Sequence, residues 1–156
     1  MISRSQNETI EFAKKFAKEL KGGEVIGLVG ELGSGKTTFV KGLAGGLGIK
    51  KNITSPTFVM LKEYRIPHRH LHISSVNREV YGTLVHIDVY RVEKIDDIKS
   101  VGIEDYFGRK DVVMVIEWAE KIKKILPKNT IYINFKHVDE NKREIILDRL
   151  LKFLRI

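Results

Sequence analysis

Short apolar runs alternate with amphipathic stretches along the chain, and each type predicts a different element. Residues 24–29, 83–88 and 112–116 are strand-like, and the last run is apolar enough to be buried on both faces of a sheet. Residues 38–47 and 95–107 have helical spacing. Strands that alternate with helices in this way are typical of α/β proteins with a mainly parallel sheet.

A further amphipathic helix is predicted near the N-terminus. Ser5, followed three residues later by Glu8, forms a capping-box pattern that marks the first turn of a helix. The apolar face of this helix consists of Ala13, Phe16, Ala17 and Leu20. Gly22 and Gly23 follow directly and predict its end.

The last part of the chain predicts a pair of strands. Residues 130–135 and 143–147 have strand character, with a polar turn at residues 137–142 between them. We therefore expect a three-layer α/β fold with a mainly parallel sheet and a C-terminal antiparallel hairpin. The length of 156 residues fits a single domain over residues 1–156.

Composition narrows the class of protein. No run of 18 apolar residues is present, so a membrane-spanning helix is not expected. Cysteine is absent, which excludes disulfide and thiolate chemistry and agrees with an expected cytoplasmic location. The formal net charge is +8, although residues 79–119 carry nine acidic against five basic side chains. The basic remainder indicates either a nucleic acid or acidic partner, or a lysine-rich solvated surface without a specific partner.

The strongest chemical signal lies at residues 30–38, which match the phosphate-binding P-loop pattern in full between a predicted strand and a predicted helix. Its glycines let backbone N–H groups point at an anion, while Lys36 bridges the outer phosphates and Thr37 offers a hydroxyl to Mg²⁺. We therefore predict a P-loop NTPase fold that binds a nucleoside triphosphate. The predicted binding residues are Gly30, Leu32, Gly33, Ser34, Gly35, Lys36, Thr37 and Thr38.

Two acidic residues, Asp88 and Glu117, each close a predicted strand. Ligands of open α/β sheets bind at the carboxyl ends of the strands, so both carboxylates are expected at the P-loop edge. A P-loop enzyme needs a carboxylate near Mg²⁺ and a group that orients or deprotonates the attacking water. Either residue could instead cap a helix.

These motifs together resemble the TsaE family of bacterial P-loop ATPases, which act in the tRNA threonylcarbamoyladenosine pathway. Four motifs in family order carry the resemblance, which covers nearly the whole chain. They are the P-loop at residues 30–39, Ser-Pro-Thr-Phe at 55–58, His-x-Asp-x-Tyr-Arg at 86–91 and Ile-Glu-Trp at 116–118. The resemblance implies an ATP-hydrolysing protein that assists TsaB and TsaD partners, with direct or indirect contact to tRNA. The partners modify the adenosine beside the anticodon, and the transfer chemistry belongs to TsaD.

The resemblance also implies roles for single residues. Lys36 and Thr37 hold the phosphates and Mg²⁺, and Asp88 matches the Mg²⁺-linked aspartate of the family. Glu117 matches its essential acidic residue, which we interpret as the water-orienting group or base, so Glu117 and Lys36 are the expected catalytic residues. Trp118 matches the aromatic next to it, which either contacts a partner or packs in the protein.

Two weaker features lie near this predicted site. Ser55 and Thr57 flank a proline, and their hydroxyls could reach a γ-phosphate or Mg²⁺ as switch threonines do, although these are ordinary loop residues. Tyr90 and Arg91 are interpreted as structural residues that pair with the acidic residues 93–105.

The chain departs from the family at residues 66–83, where a short hairpin is lengthened. His68, His70 and His72 alternate in this segment, and on a strand they would share a face and invite a metal. No Cys or acidic ligand stands nearby to complete such a site. We therefore interpret the segment as an extended hairpin with exposed polar residues.

Three other functions stay open at this point. A small GTPase is one alternative, because residues 141–144, Asn-Lys-Arg-Glu, superficially mimic a guanine-reading Asn-Lys-x-Asp element. The segment ends in Glu and falls in a predicted hairpin turn, so we interpret it as that turn. A small-molecule kinase would need an Arg-rich lid and an acceptor pocket, and the sequence shows no pattern for either. A non-catalytic assembly factor, which binds ATP without hydrolysing it, would carry the same motifs.

Overall fold

The computed structural model describes residues 1–58, 60–67 and 82–148. Within these residues, the strands form one mixed seven-stranded sheet. The strands are β1 (Ile2–Ser3), β2 (Val25–Val29), β3 (Leu61–Ile66), β4 (Gly82–Asp88), β5 (Val112–Glu117), β6 (Ile131–His137) and β7 (Arg143–Leu147).

The order of the sheet is β1-β7-β6-β2-β5-β4-β3. The four central strands, β6, β2, β5 and β4, are parallel to one another. On one edge β3 is antiparallel to β4, and on the other β7 is antiparallel to both β6 and β1. The predicted mainly parallel sheet with a C-terminal antiparallel hairpin is thus confirmed.

Helices cover both faces of the sheet, as the three-layer prediction requires. On one face lie α1 (Gln6–Ala17) and α2 (Lys36–Gly46). The other face is covered by α3 (Ile95–Ser100) and by 3₁₀ helices at Ile103–Tyr106 and Ala119–Ile125.

The central strand β5 separates two hydrophobic cores. All six of its residues are buried, as the apolar run predicts. Val113 and Val115 belong to the core beneath α1 and α2, whereas Met114 and Ile116 belong to the core on the opposite face. This division follows from the alternation of side chains along a strand.

The first turn of α1 has the predicted cap. The Ser5 hydroxyl accepts the backbone N–H of Glu8 at 3.2 Å, and the Glu8 carboxylate accepts the backbone N–H of Arg4 at 2.7 Å. The four residues predicted to form its apolar face are all buried: Ala13, Phe16, Ala17 and Leu20. The helix nevertheless ends at Ala17, before the predicted end at Gly22 and Gly23, so Leu20 lies beyond it.

Small residues bring α1 and α2 close together. A Cβ atom added to Gly42 of α2 would lie 2.5 Å from the Ile10 carbonyl oxygen and 2.7 Å from Ala13 Cβ. One turn further on, a Cβ atom on Gly46 would lie 2.6 Å from Ala17 Cβ. The close approach places the first turn of α1 beside the loop that precedes α2.

Some elements differ from the sequence prediction. The helix predicted over 95–107 ends at Ser100, because Gly102 adopts a left-handed conformation with φ 73° and the chain continues as a 3₁₀ turn. The strand β1 is not predicted, since two residues are too few for a periodic pattern. The 3₁₀ helix at Ala119–Ile125 is also not predicted, because it lacks the spacing of an α-helix.

The ends of the predicted insertion at 66–83 lie side by side, since Ile66 of β3 pairs with Gly82 of β4. His68, His70 and His72 lie outside the described residues. Over the part of the chain that the structure describes, no helix has the length and apolar character needed to cross a membrane.

Substitution of Gly42 by alanine tests the contact between α1 and α2. We expect Gly42→Ala to lower the free energy of unfolding by about 1–3 kcal/mol, because the added methyl group overlaps α1. Gly45→Ala is the matched control on the same helix, since its Cβ would meet Lys14 Cε at 3.6 Å, and we expect it to be neutral or to stabilise by about 0.5–1 kcal/mol. Urea unfolding measures both variants, and equal effects would contradict the close contact.

Candidate functional site

Three glycines shape the loop between β2 and α2. Gly30, Gly33 and Gly35 have φ angles of 146°, 73° and 104°, which residues with a side chain rarely adopt. A Cβ atom on Gly30 would collide with the Phe135 carbonyl oxygen, whereas one on Gly35 would meet nothing within 4 Å. The loop is therefore packed on the sheet side and open on the other. The first N–H groups of α2 have no acceptor within the helix and suit an anion.

Lys36 is buried at the start of α2, with 4% of its surface exposed. Its ammonium donates to the carbonyl oxygens of Gly30 at 2.6 Å and Glu31 at 2.8 Å, and it lies 3.9 Å from the centroid of the Trp118 ring. Burial lowers the pKa of Lys36, and the carboxylate of Glu117 acts in the opposite direction. A cation held in this way is available to a phosphate.

The carboxylate of Glu117 joins three elements. The Thr37 hydroxyl on α2 donates to Glu117 Oε2 at 2.8 Å and lies 3.1 Å from Oε1. The ring of His86 on β4 approaches from the other side, with Nε2 2.8 Å from Oε1. Glu117 itself closes β5 and is 2% exposed, so its two oxygens are bonded inside the protein.

Asp88, at the end of β4, holds the Ser-Pro-Thr turn. Its Oδ2 accepts the Ser55 hydroxyl and, at 2.8 Å, the Thr57 hydroxyl, while Oδ1 accepts the backbone N–H of Tyr90 at 2.9 Å. The two hydroxyls that the sequence places near the site are thus tied to a buried carboxylate at the sheet edge.

Trp118 follows Glu117 directly and has a left-handed backbone, with φ 63°. For a residue with a large side chain this conformation costs about 1–3 kcal/mol and persists only where surrounding contacts hold it. The half-buried ring lies between the Lys36 ammonium and the ring of Tyr90, whose centroid is 4.9 Å away. The ring is therefore packed against the site on one side and partly open on the other.

The predicted pairing of Tyr90 and Arg91 with acidic residues is not found among the described residues. Tyr90 packs on Trp118, and the Arg91 guanidinium lies 4.3 Å from the centroid of Phe58, which is 80% exposed. Tyr90 therefore lies at the site, whereas Arg91 packs on an exposed ring.

Most of the side chains described above line a cleft of about 360 Å³ at the carboxyl edge of the sheet, whereas His86, Arg91 and Phe58 do not. The cleft brings together most of the residues predicted from the sequence, and Gln6 and Tyr90 join them. The predicted residues that line it are Leu32, Gly33, Ser34, Gly35, Lys36, Thr37, Thr38, Ser55, Thr57, Asp88, Glu117 and Trp118. Gly30 lies behind the cleft and contributes its carbonyl oxygen to Lys36.

A smaller cavity of about 160 Å³ adjoins the same loop. It shares Gln6, Gly33, Gly35 and Thr38 with the larger cleft and is completed by the start of α1 and by the turn between β6 and β7. The residues from these two elements are Ser5, Gln6, Thr9, Glu140, Asn141 and Arg143. Residues 141–144, which resemble a guanine-reading element, therefore begin in a hairpin turn, as predicted. This turn lies beside the loop between β2 and α2.

The donor set fits a phosphate together with Mg²⁺. The Thr37 hydroxyl and the carboxylates of Asp88 and Glu117 supply oxygen ligands, which Mg²⁺ prefers. In the described ranges no cluster of three His, Cys, Asp or Glu side chains could hold a metal on its own. Mg²⁺ is commonly bound by one or two carboxylates together with substrate phosphates and waters. The small number of protein ligands at this site therefore suits a Mg²⁺ ion that binds together with a phosphate.

Sequence reasoning assigned no role to His86 or Gln6 and only a structural one to Tyr90, so none of the three was predicted at the site. For His86 a signal exists, because it lies two residues before Asp88 and therefore on the same face of β4. Tyr90 follows Asp88 closely but lies beyond the strand, where periodicity gives no direction. Gln6 reaches the cleft only through the packing of α1, which no local pattern encodes.

Loss of the Thr37 hydroxyl is expected to destabilise the protein itself. Thr37→Val should lower the free energy of unfolding by about 1.5–3 kcal/mol, since it removes a hydrogen bond to a buried charged group. Thr37→Ser keeps the hydroxyl and should cost no more than about 1 kcal/mol. Chemical denaturation compares the two variants, and an equal loss in both would mean that the hydrogen bond to Glu117 contributes nothing.

Comparisons with known proteins agree on one family. A family model described as "Threonylcarbamoyl adenosine biosynthesis protein TsaE" matches residues 3–145. The chain is 41% identical over 138 residues to the tRNA threonylcarbamoyladenosine biosynthesis protein TsaE of Bacillus subtilis, covering 88% of this chain and 77% of that protein. It is 39% identical over 145 residues to the protein of the same name from Treponema pallidum, covering 92% and 96%.

A solved structure has the same architecture. The crystal structure of Bacillus subtilis YdiB superimposes with a TM-score of 0.70 at 34% sequence identity, and the alignment covers 94% of this chain and 82% of that one. The family match covers nearly the whole chain, and the relatives align over most of their own length. The chain therefore belongs to the TsaE family.

Proposed function

We propose that the chain binds and hydrolyses ATP with Mg²⁺, as a cytoplasmic accessory protein in the threonylcarbamoylation of tRNA. The family description and the names of the relatives support the pathway. One observation carries the nucleotide chemistry: the buried ammonium of Lys36, the Thr37 hydroxyl and the carboxylates of Asp88 and Glu117 meet in one cleft. These groups are the donors and acceptors that phosphoryl transfer requires.

The two cavities suggest how the nucleotide lies. Gly33 and Gly35 of the loop and Thr38 of the first turn of α2, which line both cavities, would hold the inner phosphates. The larger cleft contains the carboxylates and suits the γ-phosphate and Mg²⁺. The smaller cavity, beside α1 and the β6–β7 turn, then receives the base and ribose.

The geometry refines the roles of the two carboxylates. Thr37 is bonded to Glu117 and not to Asp88, so we assign Glu117 to the metal position as well as to the attacking water. Asp88 is bonded to Ser55 and Thr57 and would present this turn to the outer phosphate. Mg²⁺, when bound, would neutralise charge on the phosphate oxygens.

Two exposed side chains, Leu32 and Tyr90, line the cleft, and a third, Phe58, follows Thr57 of its lining; together they suit a protein partner. Leu32 is 72% exposed and Phe58 is 80% exposed, while Tyr90 is 44% exposed. Side chains of this type at the mouth of a polar site are typical of interaction surfaces. TsaB- and TsaD-like partners that dock here would exclude water from the cleft and stimulate hydrolysis, with tRNA in direct or indirect contact.

Nucleotide binding should be visible in the fluorescence of Trp118, the sole tryptophan of the chain. A phosphate that draws the Lys36 ammonium away from the ring changes its surroundings, so we expect Mg·ATP to shift the emission. Lys36→Met should abolish the shift, whereas Lys41→Met, an exposed lysine on the same helix, should retain it.

The same titration distinguishes the nucleotides. We expect ATP to bind more tightly than GTP. A strong preference for GTP would overturn the ATPase proposal in favour of a GTPase, for which Asn141 beside the smaller cavity is the supporting observation.

Removal of the Glu117 carboxylate should abolish turnover. We expect Glu117→Ala to lower partner-stimulated phosphate release by about 100-fold or more, because the attacking water loses its acceptor. Glu120→Ala, an exposed acidic neighbour, is the control and should stay within about twofold.

Three outcomes of this assay separate the remaining functions. Phosphate release without any acceptor substrate argues against a small-molecule kinase. Hydrolysis that survives in Glu117→Ala would show that our catalytic assignment is wrong. Binding of ATP without release in the unmodified protein, even with its partners, would indicate a non-catalytic assembly factor.

A further inference from the structure

A buried imidazole lies behind the carboxylate of Glu117. His86, in the middle of β4, is fully buried, and its Nε2 is 2.8 Å from Glu117 Oε1. It does not line the cleft and would touch neither nucleotide nor metal. Among the described residues, the one polar group within hydrogen-bonding distance of the ring is the carboxylate on which turnover depends in our proposal.

Strand register explains why the ring is there. In the parallel pair β4–β5, His86 lies opposite Val115 and Asp88 lies opposite Glu117. Residues two apart on a strand share a face, so His86 sits one step below both carboxylates on the side of α2. Its neighbours on that face, Leu84 and Val115, belong to the hydrophobic core beneath α2. A polar ring in such surroundings needs a defined partner.

The hydrogen bonds define the tautomer. A carboxylate only accepts, so the hydrogen lies on His86 Nε2 and is donated to Glu117. Nδ1 of the same ring is, within the described part of the chain, the one buried side-chain nitrogen or oxygen without a partner. A hydrogen placed there would be a buried donor without an acceptor, which disfavours the other tautomer.

We propose that His86 is a positioning residue that fixes the Glu117 carboxylate in its working orientation, an inference that rests on the proposed ATPase function. The other hydrogen bond to Glu117 comes from Thr37, the same hydroxyl that would serve Mg²⁺. The bond from His86 comes from the protein interior, so a bound nucleotide does not compete for it. Small displacements of a catalytic group are costly, at about 100-fold in rate for an error near 1 Å.

Three substitutions separate the hydrogen bond from the bulk of the ring. His86→Gln keeps an N–H donor near the position of Nε2, His86→Asn is too short to reach Glu117, and His86→Leu removes the donor. We expect kcat for Mg·ATP hydrolysis to fall by about 10- to 100-fold in the Asn and Leu variants and to recover to within about fivefold of the unmodified protein in the Gln variant. Affinity for a fluorescent ATP analogue should stay within about threefold in all of them, since His86 lies outside the cleft.

A matched control accounts for lost stability. Val85 precedes His86 on β4, is equally buried and belongs to the core on the opposite face of the sheet. Val85→Ala should therefore lower the thermal unfolding temperature without lowering kcat. If His86→Asn and His86→Leu fail to fold, the Gln variant and the measurement below still decide the proposal.

Nitrogen-15 NMR of the histidine rings tests the contact without turnover. The unmodified protein should show an Nε2–H ring signal that is assigned to His86 because it vanishes in His86→Gln, and this signal should shift in Glu117→Gln. Full kcat in His86→Leu, or an Nδ1–H tautomer for His86, would overturn the proposal. Absence of turnover in the unmodified protein with its partners would instead overturn the proposed function, and the NMR signal would then show whether the contact exists independently of it.

Discussion

The parallel pairing of β2, β5 and β4 is the constraint on which the site depends. Glu117 pairs with Leu28 on one side and with Asp88 on the other, so both carboxylates lie at the height where the loop leaves β2. Parallel strands require a crossover, and the chain that leaves β2 forms α2. The first turn of α2 then bonds to Glu117 through Thr37. One register thus joins chemistry from three distant stretches of sequence.

Three charged side chains of the site are buried, and local hydrogen bonds offset the free-energy cost of removing them from water. Lys36, Asp88 and Glu117 are each at most 4% exposed. Buried charges are tolerated when they are paired and hydrogen-bonded. Loop carbonyls satisfy the ammonium, while hydroxyls, a ring nitrogen and a backbone N–H satisfy the carboxylates. The arrangement is therefore formed in the protein itself, which reduces the reorganisation needed when a ligand binds.

Much of this arrangement followed from local pattern, and the rest depends on tertiary packing. The phosphate loop is a contiguous motif, and the strand-end rule placed Asp88 and Glu117 at its edge because each closes an apolar run. The sequence did not predict that Gln6 lines the cleft, because Gln6 reaches it only through the packing of α1 against the glycines of α2. The contact of His86 depends on the register between β4 and β5, which neither strand specifies alone. Gly102 shows the opposite case, where a single backbone conformation shortened a helix that the hydrophobic pattern would have extended.

The pairing of Ile66 with Gly82 bears on how this scaffold can diversify. Ile66 and Gly82 are already partners, so the number of residues between them does not enter the register of the central strands. In proteins generally, the entropic cost of closing a loop grows slowly with its length, by about 0.6 kcal/mol per doubling. Gly82 and Asp88 stand at opposite ends of β4, roughly 20 Å apart at the usual rise per residue. The chain can therefore change at the Gly82 end of β4 and form new contacts there, while the Asp88 end keeps its chemistry.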